Sequence, residues 1–378
     1  MEHEELAGWL RLVLAPGIGN TTARRLLAAF GLPDAIFAQS PDALRQFLTG
    51  PQTYSLHNEP EGFAAQLAAT WSWLQQEDGM GRHRIVTLGD AQYPADLLQI
   101  EDPPCVLYLT GVSPASWPVA IAVVGSRNPT PQGLVNARQF GRSFAQAGFG
   151  VVSGLALGVD GAAHEGALEG AGSSERIATV AVVGTGLDRV YPRQHLALAQ
   201  RIAQAGLIVS EYPIGTPPLP ENFPKRNRII AALSRGTVVV EAALQSGSLI
   251  TARQAAEQGK DVFAIPGSIH SPQTRGCHAL LKQGAKLVET AQDVLEEMHL
   301  PTSPVPVRDG GSEAVPNDGA GPDDSLLAAL GFDPVSLDAL QARTGLDTPH
   351  LQAHLLELEL DGAIGRLPGG LFQRLGQA

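Results

Sequence analysis

Six short apolar segments in the middle of the chain, separated by stretches with helical periodicity, constrain the fold most strongly. The apolar segments span 119–124, 150–152, 178–183, 207–210, 237–240 and 262–265, and helical patterns cover 133–147, 193–203 and 249–258. Continuous apolar strands that alternate with helices predict a parallel sheet covered on both faces. We therefore expect an extended Rossmann-like α/β domain over 82–292, with strand-like segments in 84–111 extending its sheet. Ligands of such a sheet bind at the carboxyl ends of its strands.

Smaller domains are predicted on both sides, because 378 residues exceed one ordinary domain. Residues 1–80 have the pattern of a helix–hairpin–helix, or SAM-like, domain, in which Gly17 and Gly19 allow a tight turn between two helices. Such a turn can grip a DNA phosphate through free backbone amides, or it can serve packing alone. The stretch 49–61, rich in Pro, Asn and Gly, is interpreted as a connection.

The C-terminal part is predicted to be a flexible linker followed by a winged helix. Residues 300–324 contain mainly Pro, Gly, Ser and acidic residues without apolar periodicity, which is typical of a linker. Helical patterns at 337–344 and 350–361 and a hairpin pattern at 365–372 indicate a winged helix over 325–378. This domain has six acidic residues against three arginines and no lysine, so we expect it to bind a protein partner or act as a cap.

Acidic charge is concentrated at the C-terminal end. The chain has a net charge of −12, and residues 291–378 contain fourteen acidic residues, four arginines and no lysine, a net of −10. The first 290 residues therefore carry only −2. Because local rather than total charge governs the encounter with a polyanion, this composition does not exclude nucleic acid as a partner.

Several features predict a cytoplasmic protein. No run of about eighteen apolar residues is present, so neither a transmembrane helix nor a membrane partner is expected. The N-terminal stretch Met-Glu-His-Glu-Glu is acidic where a signal peptide would be basic. The only cysteines are Cys105 and Cys277, which excludes a disulfide framework and a zinc cluster.

The basic stretch Asn-Phe-Pro-Lys-Arg-Asn-Arg-Ile-Ile at 222–230 predicts an anion site. Pro224 suits the first position of a helix, so Lys225, Arg226 and Arg228 are expected in the first helical turn. The helix dipole disfavours cations there, and three of them indicate that a phosphate chain is brought to the site.

Alternatives remain open for this stretch. Its cations can instead pair with internal acids such as Glu211 and Glu241. Phe223 can stack on a base or serve as an ordinary core aromatic. Loops that end the parallel strands, including the one that carries Arg127 and the Ser-Gly-Ser turn at 246–248, are expected at the same edge of the sheet.

Motifs for catalysis are incomplete. Gly184-Thr-Gly186 lacks the third glycine of a dinucleotide-binding motif, and the sequence contains no Walker A motif. Ser126 and Ser153 do not lie in a Gly-x-Ser-x-Gly elbow, and His164 lacks the second histidine of a zinc-protease motif. We therefore predict no catalytic residues, no metal and no cofactor.

Motifs that occur in order through the central region resemble one known family. They are Gly-Ser-Arg at 125–127, Ser-Gly-Leu-Ala at 153–156, Gly-Thr-Gly-Leu-Asp at 184–188 with Tyr191-Pro192, Ser-Glu-Tyr-Pro at 210–213, the basic stretch at 222–230, Glu241-Ala242, Ser-Gly-Ser-Leu-Ile-Thr-Ala at 246–252 and Val-Phe-Ala-Ile-Pro-Gly at 262–267. In combination they resemble the DNA-processing protein A family (DprA, also called Smf). The flanking helical domain and acidic winged helix are similar to that family's arrangement. One departure is Thr-Arg-Gly-Cys-His at 274–278, where the family usually has Ser-x-Gly-x-Asn.

The resemblance implies a protein that binds single-stranded DNA during natural transformation, protects it, and loads the RecA recombinase onto it. It implies a basic pocket formed by Arg127, Gly154, Phe223, Lys225, Arg226, Asn227 and Arg228. Neighbouring loop residues complete the predicted DNA contacts: Ser126, Ser153, Asn222, Gly247 and Ser248. A homodimer is expected through the end of the Rossmann-like domain, at His278, Leu280, Leu281 and Leu287. The alternative function is a Rossmann-like enzyme that binds or hydrolyses a nucleotide derivative.

Overall fold

Helical, α/β and winged-helix parts follow one another along the chain. The computed structural model describes residues 1–78, 80–113, 116–172, 176–299, 322–332, 334–367 and 369–376. The N-terminal helices are α1 (His3–Leu14), α2 (Asn20–Phe30), α3 (Pro33–Phe37), α4 (Pro41–Leu44), α5 (Gly50–His57) and α6 (Phe63–Gln75). The central strands are β1 (Glu77–Asp78), β2 (Gly81–Thr87), β3 (Val106–Gly111), β4 (Ala120–Val124), β5 (Gly150–Ser153), β6 (Thr179–Val182), β7 (Leu207–Ser210), β8 (Gly236–Val239), β9 (Asp261–Ala264) and β10 (Lys286–Leu287).

The remaining elements are the helices of the central region and the C-terminal domain. The central helices are α7 (Pro131–Gln146), α8 (Val159–Gly170), α9 (Leu196–Ala205), α10 (Asn222–Ala232), α11 (Ser248–Glu257), α12 (Arg275–Lys282) and α13 (Ala291–Glu297). The C-terminal elements are α14 (Pro322–Leu330), β11 (Val335–Ser336), α15 (Leu337–Thr344), α16 (Thr348–Leu360), β12 (Ile364–Leu367) and β13 (Leu371–Arg374).

One large sheet organises the central region. Over the described residues it has ten strands in the order β1-β2-β3-β7-β6-β5-β4-β8-β9-β10. The strands from β7 to β10 in this order pair in parallel, which confirms the predicted Rossmann-like α/β fold. The segments in 84–111 extend the sheet as expected, but their strands β2 and β3 pair antiparallel, and β1, which precedes this range, pairs antiparallel with β2. In the continuously described range 80–113, no crossover α-helix joins β2 to β3, and antiparallel neighbours need none.

Both faces of the parallel part are buried under helices. Successive side chains of a strand point to opposite faces of the sheet. Ile121 and Val123 of β4 belong to the core that α7 and α8 cover, whereas Ala122 and Val124 belong to the core that α10 and α11 cover. This two-sided burial explains why the strands are continuously apolar in the sequence.

The N-terminal helices pack against the antiparallel end of the sheet. Trp73 of α6 stacks on His83 of β2 with ring centroids 4.4 Å apart. The same hydrophobic core includes Val106 and Tyr108 of β3. The core therefore continues across the domain boundary expected near residue 80, and that boundary stays a prediction.

Neighbouring segments hold the turn between α1 and α2. The side-chain amide of Gln52 donates to the carbonyl of Gly17 at 2.8 Å. The hydroxyl of Thr21, at the start of α2, lies 3.4 Å from the Asp102 carboxylate. An acidic side chain at this position competes with a phosphate, so these contacts favour the packing role of the helix–hairpin–helix.

The connection expected at 49–61 is wrong in its first half, because α5 spans Gly50–His57. Thr49 and Gln52 form a capping box in which each side chain bonds the other residue's backbone amide. Pro51 lies in the first turn, where its missing N–H is not needed. The pattern Thr-x-x-Gln is a helix-start signal that outweighs the Pro and Gly content.

The C-terminal elements form the predicted winged helix, whose described residues include a three-stranded sheet in the order β11-β13-β12. This domain packs on the first turn of α7. The side-chain amide of Gln132 donates to the Gly376 carbonyl at 2.9 Å, and the Gly376 N–H donates to Gln132 Oε1 at 2.6 Å. A Cβ on Gly365 would lie 2.5 Å from Pro131 Cβ, so the close approach requires glycine.

The predicted linker is described only at its end. Residues 300–321 lie outside the described residues, and residues 322–324 belong to α14 instead of the linker. Within the described ranges, no helix is long and apolar enough to cross a membrane.

Candidate nucleic-acid interface

A cavity of about 720 Å³ opens at the carboxyl ends of β4 and β8. These strands are neighbours, and the chain continues from β4 to β5 on one side and from β8 to β9 on the other. This is the topological switch point of the sheet, where open α/β sheets bind ligands. We call it the strand-end cavity. Its lining includes Ser126, Arg127, Asn128, Asp160, Tyr191, Phe223, Arg226, Asn227, Ser246, Gly247, Ser248 and Gln273.

An arginine and two aromatic rings form one wall of the cavity. The guanidinium carbon of Arg127 lies 5.5 Å from the centroid of the Phe223 ring, and the rings of Phe223 and Tyr191 are 5.7 Å apart. Arg127 is exposed, Phe223 is half-buried and Tyr191 is 45 % exposed. Phe223 is therefore a wall residue and not an ordinary core aromatic. A positive charge beside aromatic rings can bind a phosphate and an unpaired base, the charge contacting the phosphate and a ring stacking on the base.

Helix α10 starts two residues earlier than the sequence predicts. It begins at Asn222, whose side-chain amide donates to the Gly184 carbonyl at 3.1 Å. Pro224 is therefore the third helical residue, a position that also lacks an intrahelical partner for its N–H. Lys225 and the following arginines come after the first three positions. The expectation of three cations in the first turn is thus wrong, and the dipole argument for a phosphate site does not apply to them.

Arg226 is buried beneath the cavity and is 4 % exposed. Its Nη1 donates to the carbonyl of Gly154 at 2.6 Å and to the carbonyl of Val182, and its Nε donates to Asn227 Oδ1 at 3.0 Å. Burial lowers the pKa of Arg226 to about 10, so the guanidinium stays charged at neutral pH. These bonds join the loop after β5 to the end of β6.

Asp160 of α8 occupies a turn of backbone amides next to this guanidinium. Its Oδ2 accepts the N–H of Gly154 at 3.2 Å and that of Ala156 at 3.3 Å. Leu155, between them, has a φ of 57°, which gives this turn an unusual backbone for a residue other than glycine. Burial raises the pKa of the Asp160 carboxyl, and the positive charge of Arg226 opposes that rise. Because Asp160 binds both amides, this turn does not offer them to a phosphate.

Arg228 is paired inside the protein. Its Nη2 lies 2.5 Å from Glu211 Oε2 and 3.4 Å from Asp102 Oδ2. The Arg228 side chain is 16 % exposed and that of Glu211 is 10 % exposed. Burial raises the pKa of Glu211, while the charge of Arg228 lowers it. The internal-pairing alternative therefore describes Arg228 with Glu211, whereas the Glu241 carboxylate bonds Thr130.

The start of α11 contributes polar groups to the cavity. The hydroxyl oxygens of Ser246 and Ser248 are 2.7 Å apart. The side-chain amide of Asn227 donates to the Gly247 carbonyl at 3.3 Å, which ties α11 to α10. Lys225 is exposed, and its positive charge lowers the pKa of Glu211, which follows β7.

Gln273 and Tyr191 line the cavity although sequence reasoning did not assign them to the site. Ser126 Oγ donates to Gln273 Oε1 at 3.3 Å, and Gln273 Nε2 donates to the carbonyl of Asn128 at 3.1 Å. Gln273 precedes α12 in a loop without a recognisable motif. Tyr191 lies in a loop already expected at this edge, so its position was a usable signal.

The predicted contact residues divide into two groups by position. Those that line the cavity are Ser126, Arg127, Phe223, Arg226, Asn227, Gly247 and Ser248. Those that lie outside its lining are Ser153, Gly154, Asn222, Lys225 and Arg228. Ser153 is fully buried, and its hydroxyl donates to the Val123 carbonyl at 2.7 Å. Direct contact of each residue with DNA stays a prediction.

The residues expected at a dimer interface lie together at one end of the sheet. His278, Leu280 and Leu281 belong to α12, and Leu287 belongs to the edge strand β10. Leu280 and Leu281 are partly buried against the core, whereas Leu287 is 56 % exposed. The grouping is compatible with a shared surface, and the dimer stays a prediction.

Comparisons with known proteins match most of the chain. Residues 84–299 match the family described as DNA recombination-mediator protein A, and residues 311–370 match the DprA winged helix domain. Protein Smf of Escherichia coli is 42 % identical over 309 residues, which cover 81 % of this chain and 80 % of that protein. The DNA processing protein DprA of Bacillus subtilis is 39 % identical over 245 residues, covering 65 % of this chain and 80 % of that protein.

Two solved structures are similar in fold and sequence. DprA from Streptococcus pneumoniae superposes with a TM-score of 0.65 at 34 % identity, covering 79 % of this chain and 98 % of that one. DNA processing protein A from Helicobacter pylori, a structure described for its single-stranded DNA binding mode, gives a TM-score of 0.52 at 32 % identity. It covers 58 % of this chain and 98 % of that one.

The sheet, its switch-point cavity and the docked winged helix define a protein of the recombination-mediator class. The chain belongs to the DNA-processing protein A (DprA, Smf) family, because the family match covers more than half of its residues and a 42 % identical relative extends over 81 % of it.

Replacing the buried guanidinium tests its structural role. We expect Arg226→Ala to lower the free energy of unfolding by roughly 3–5 kcal/mol, because it leaves the buried carbonyls of Gly154 and Val182 without their donor and removes the positive charge that favours ionised Asp160. Lys225→Ala, at the exposed neighbouring position, should stay within about 0.5 kcal/mol of wild type. Urea unfolding followed by circular dichroism measures both. Equal midpoints for the two variants would contradict the assignment.

Proposed function

We propose that this protein binds single-stranded DNA in the strand-end cavity, without strong sequence preference and without catalysing a reaction on it. The observation that carries the proposal is the wall in which exposed Arg127 lies beside the ring of Phe223, which in turn lies beside the ring of Tyr191. Proteins that bind single strands non-specifically combine cations along the backbone with rings on which bases stack.

The predicted contact residues fall into two roles in this proposal. Arg127 in the cavity wall and Lys225 outside the lining are exposed and meet phosphates, while Phe223 and Tyr191 stack on bases. Hydroxyls and amides around Ser126, Asn227, Gly247 and Ser248 complete the polar lining. The remaining predicted residues, Ser153, Gly154, Asn222, Arg226 and Arg228, act from behind the surface by fixing the loops.

The biological role in the proposal follows from the family. We infer that the protein protects single strands in the cytoplasm during natural transformation and loads the RecA recombinase onto them. Membership in the DNA recombination-mediator protein A family supports this role. So does the single-stranded DNA binding described for the related protein from Helicobacter pylori.

The site geometry favours strand binding over hydrolysis of a nucleotide derivative. A nucleotide enzyme on this fold needs free backbone amides to hold its phosphate. The amides of Gly154 and Ala156 instead bind the Asp160 carboxylate. Incubation with nucleoside monophosphates should therefore release no base.

Substitutions of two exposed cations and of one aromatic residue in the cavity wall test the phosphate and stacking contacts. Arg127→Ala and Lys225→Ala should each weaken binding and lower the slope of log K against log salt by roughly one unit, because each removes one cation from a phosphate. Phe223→Ala should cost about 1–3 kcal/mol per stacked base with less effect on the slope. Fluorescence anisotropy with a labelled oligothymidylate at two salt concentrations measures each effect.

Arg45→Ala is the matched control, since Arg45 is an exposed arginine of the N-terminal helices paired with Asp42. It should leave affinity and slope unchanged. If Arg127→Ala together with Lys225→Ala binds at wild-type strength, the cavity is not the DNA site.

We further propose a homodimer through α12 and β10. Edge strands and exposed leucines favour pairing with a second copy, and β10 is the end of the described sheet. The short strand carries Leu287, and the adjoining helix carries Leu281.

Leu287→Arg should convert the dimer to a monomer, because it places a charge in an apolar contact. Multi-angle light scattering measures the mass directly. Leu360→Arg, at a leucine of α16 that is 79 % exposed, is the control and should not change the mass. A folded Leu287→Arg protein that remains dimeric would move the interface elsewhere.

The winged helix is proposed to be dispensable for gripping DNA. Its net acidity opposes a phosphate backbone. Its contacts with the central region include the Gln132–Gly376 hydrogen bonds on α7, next to the loop that carries Arg127. We infer that it binds a protein partner or partly screens the cavity.

A chain that ends near Leu300 should bind single-stranded DNA as tightly as the full chain, or somewhat more tightly at low salt. Removal of an acidic domain takes away repulsion, which salt screens. Anisotropy titrations of both chains at low and high salt measure this. A large loss of affinity, equal at both salt concentrations, would make the winged helix a direct DNA contact.

A further inference from the structure

One residue holds both ends of the loop that carries Arg127. The N–H of Ser126 donates to the backbone carbonyl of Glu241, just after β8, at 2.7 Å. At the other end, the N–H of Thr130 donates to Glu241 Oε2 at 2.9 Å, and its hydroxyl donates to Oε1 at 2.6 Å. Arg127 and Asn128 lie between these two attachment points. Glu241 therefore connects the two ends of this loop, one through its backbone carbonyl and the other through its carboxylate.

The carboxylate of Glu241 sits in a closed site. Glu241 is 8 % exposed, and the first turn of α7 folds over it so closely that a Cβ on Gly133 would lie 2.5 Å from its carboxyl carbon. Burial raises the pKa of Glu241, and the two hydrogen bonds from Thr130 oppose that rise. A buried carboxylate loses its hydration and needs those hydrogen bonds in compensation. The Glu241 carboxylate and the loop at 126–130 therefore stabilise each other.

We propose that Glu241 is a positioning residue for DNA binding, which fixes the Arg127 loop in the shape that presents the guanidinium to a phosphate beside the Phe223 ring. The inference rests on the proposed single-stranded DNA function and adds to it a residue that does not touch the DNA. Loss of the carboxylate releases the Thr130 end of the loop and leaves the Ser126 end attached.

Hydrogen bonds from a second residue limit the loss of DNA affinity expected when the Glu241 carboxylate is removed. Gln273 bonds the Ser126 hydroxyl and the Asn128 carbonyl from the cavity side. The loop without the Glu241 carboxylate therefore keeps part of its shape. We expect Glu241→Ala to weaken binding roughly tenfold instead of abolishing it.

The conservative variant separates positioning from charge. Glutamine at position 241 has the same length, and it can accept the Thr130 N–H while donating to the Thr130 hydroxyl. Glu241→Gln should therefore bind within roughly threefold of wild type, given the tenfold loss expected for the alanine variant. Glu169→Ala is the matched control, because Glu169 is a carboxylate on α8 that pairs with Arg138 and Arg142 of α7. It should bind like wild type.

The experiment is anisotropy titration of a labelled oligothymidylate with the full chain and these variants, alone and combined with Arg127→Ala. If Glu241 acts through Arg127, Glu241→Ala adds little to the loss already caused by Arg127→Ala. Wild-type affinity of Glu241→Ala, or an equal further loss in the Arg127→Ala background, would overturn the positioning role. Failure of the wild-type chain to bind would instead overturn the proposed function.

A folding defect in Glu241→Ala would not leave the question open. Thr130→Val keeps the shape of the side chain and removes its hydroxyl, which donates to Glu241 Oε1 and also accepts the N–H of Gly133 at 3.0 Å as the N-cap of α7. Weaker binding by Thr130→Val that disappears in the Arg127→Ala background supports the proposal. Wild-type binding by a folded Thr130→Val protein, together with an unfolded Glu241→Ala, assigns Glu241 to stability alone.

Discussion

The buried guanidinium of Arg226 is the interaction on which the site depends. A charge at this depth is tolerated only when its donors have partners, and Arg226 finds them on the carbonyls that end neighbouring strands. The constraint extends to the sequence around it. A Cβ on Gly154 would lie 2.3 Å from Arg226 Nη2, so residue 154 is glycine because the guanidinium needs the space. The family motif at this loop thus has a packing reason that is independent of any ligand.

The cations of the basic stretch divide between structure and surface, and the sequence does not show the division. Arg226 and Arg228 differ by half a turn, yet one bonds carbonyls under the cavity and the other pairs with Glu211 on the flank. The carbonyls that Arg226 bonds and the carboxylate that Arg228 bonds all come from other segments of the chain. The tertiary fold brings these acceptors to the two arginines. Lys225 of the same helix is exposed, as is Arg127 in the loop after β4. The local sequence pattern identified the basic stretch at 222–230, but it could not show which of its cations are buried and which are exposed.

The fold was predictable where local pattern and burial agree. Strand β4 is buried on both faces, and its continuous apolar sequence indicates that directly. Prediction failed at α5, where a capping signal starts a helix in a stretch whose Pro and Gly content suggested a connection. It also failed at the start of α10, because proline fits the third position of a helix as well as the first. The antiparallel direction of β2 and β3 and the role of Gln273 depend on long-range pairing that periodicity does not encode.

Three carboxylates with little exposed surface lie close to the cavity proposed to hold a polyanion, and Asp160 lines it. Asp160 accepts backbone amides next to Arg226, Glu211 pairs with Arg228, and Glu241 accepts the N–H and hydroxyl of Thr130. The charges of Asp160 and Glu211 are opposed by those of Arg226 and Arg228, and such a pair acts at a distance as a dipole, whose field falls off faster than that of an isolated charge. The described partners of the Glu241 carboxylate are the neutral donors of Thr130, and burial raises its pKa. The field at the cavity mouth is then set mainly by exposed cations such as Arg127 and Lys225. Few phosphate contacts imply a shallow salt dependence, so base stacking on Phe223 and Tyr191 has to supply a large share of the affinity. These carboxylates hold the loops in place, while the exposed cations Arg127 and Lys225 are the charges that contact the DNA.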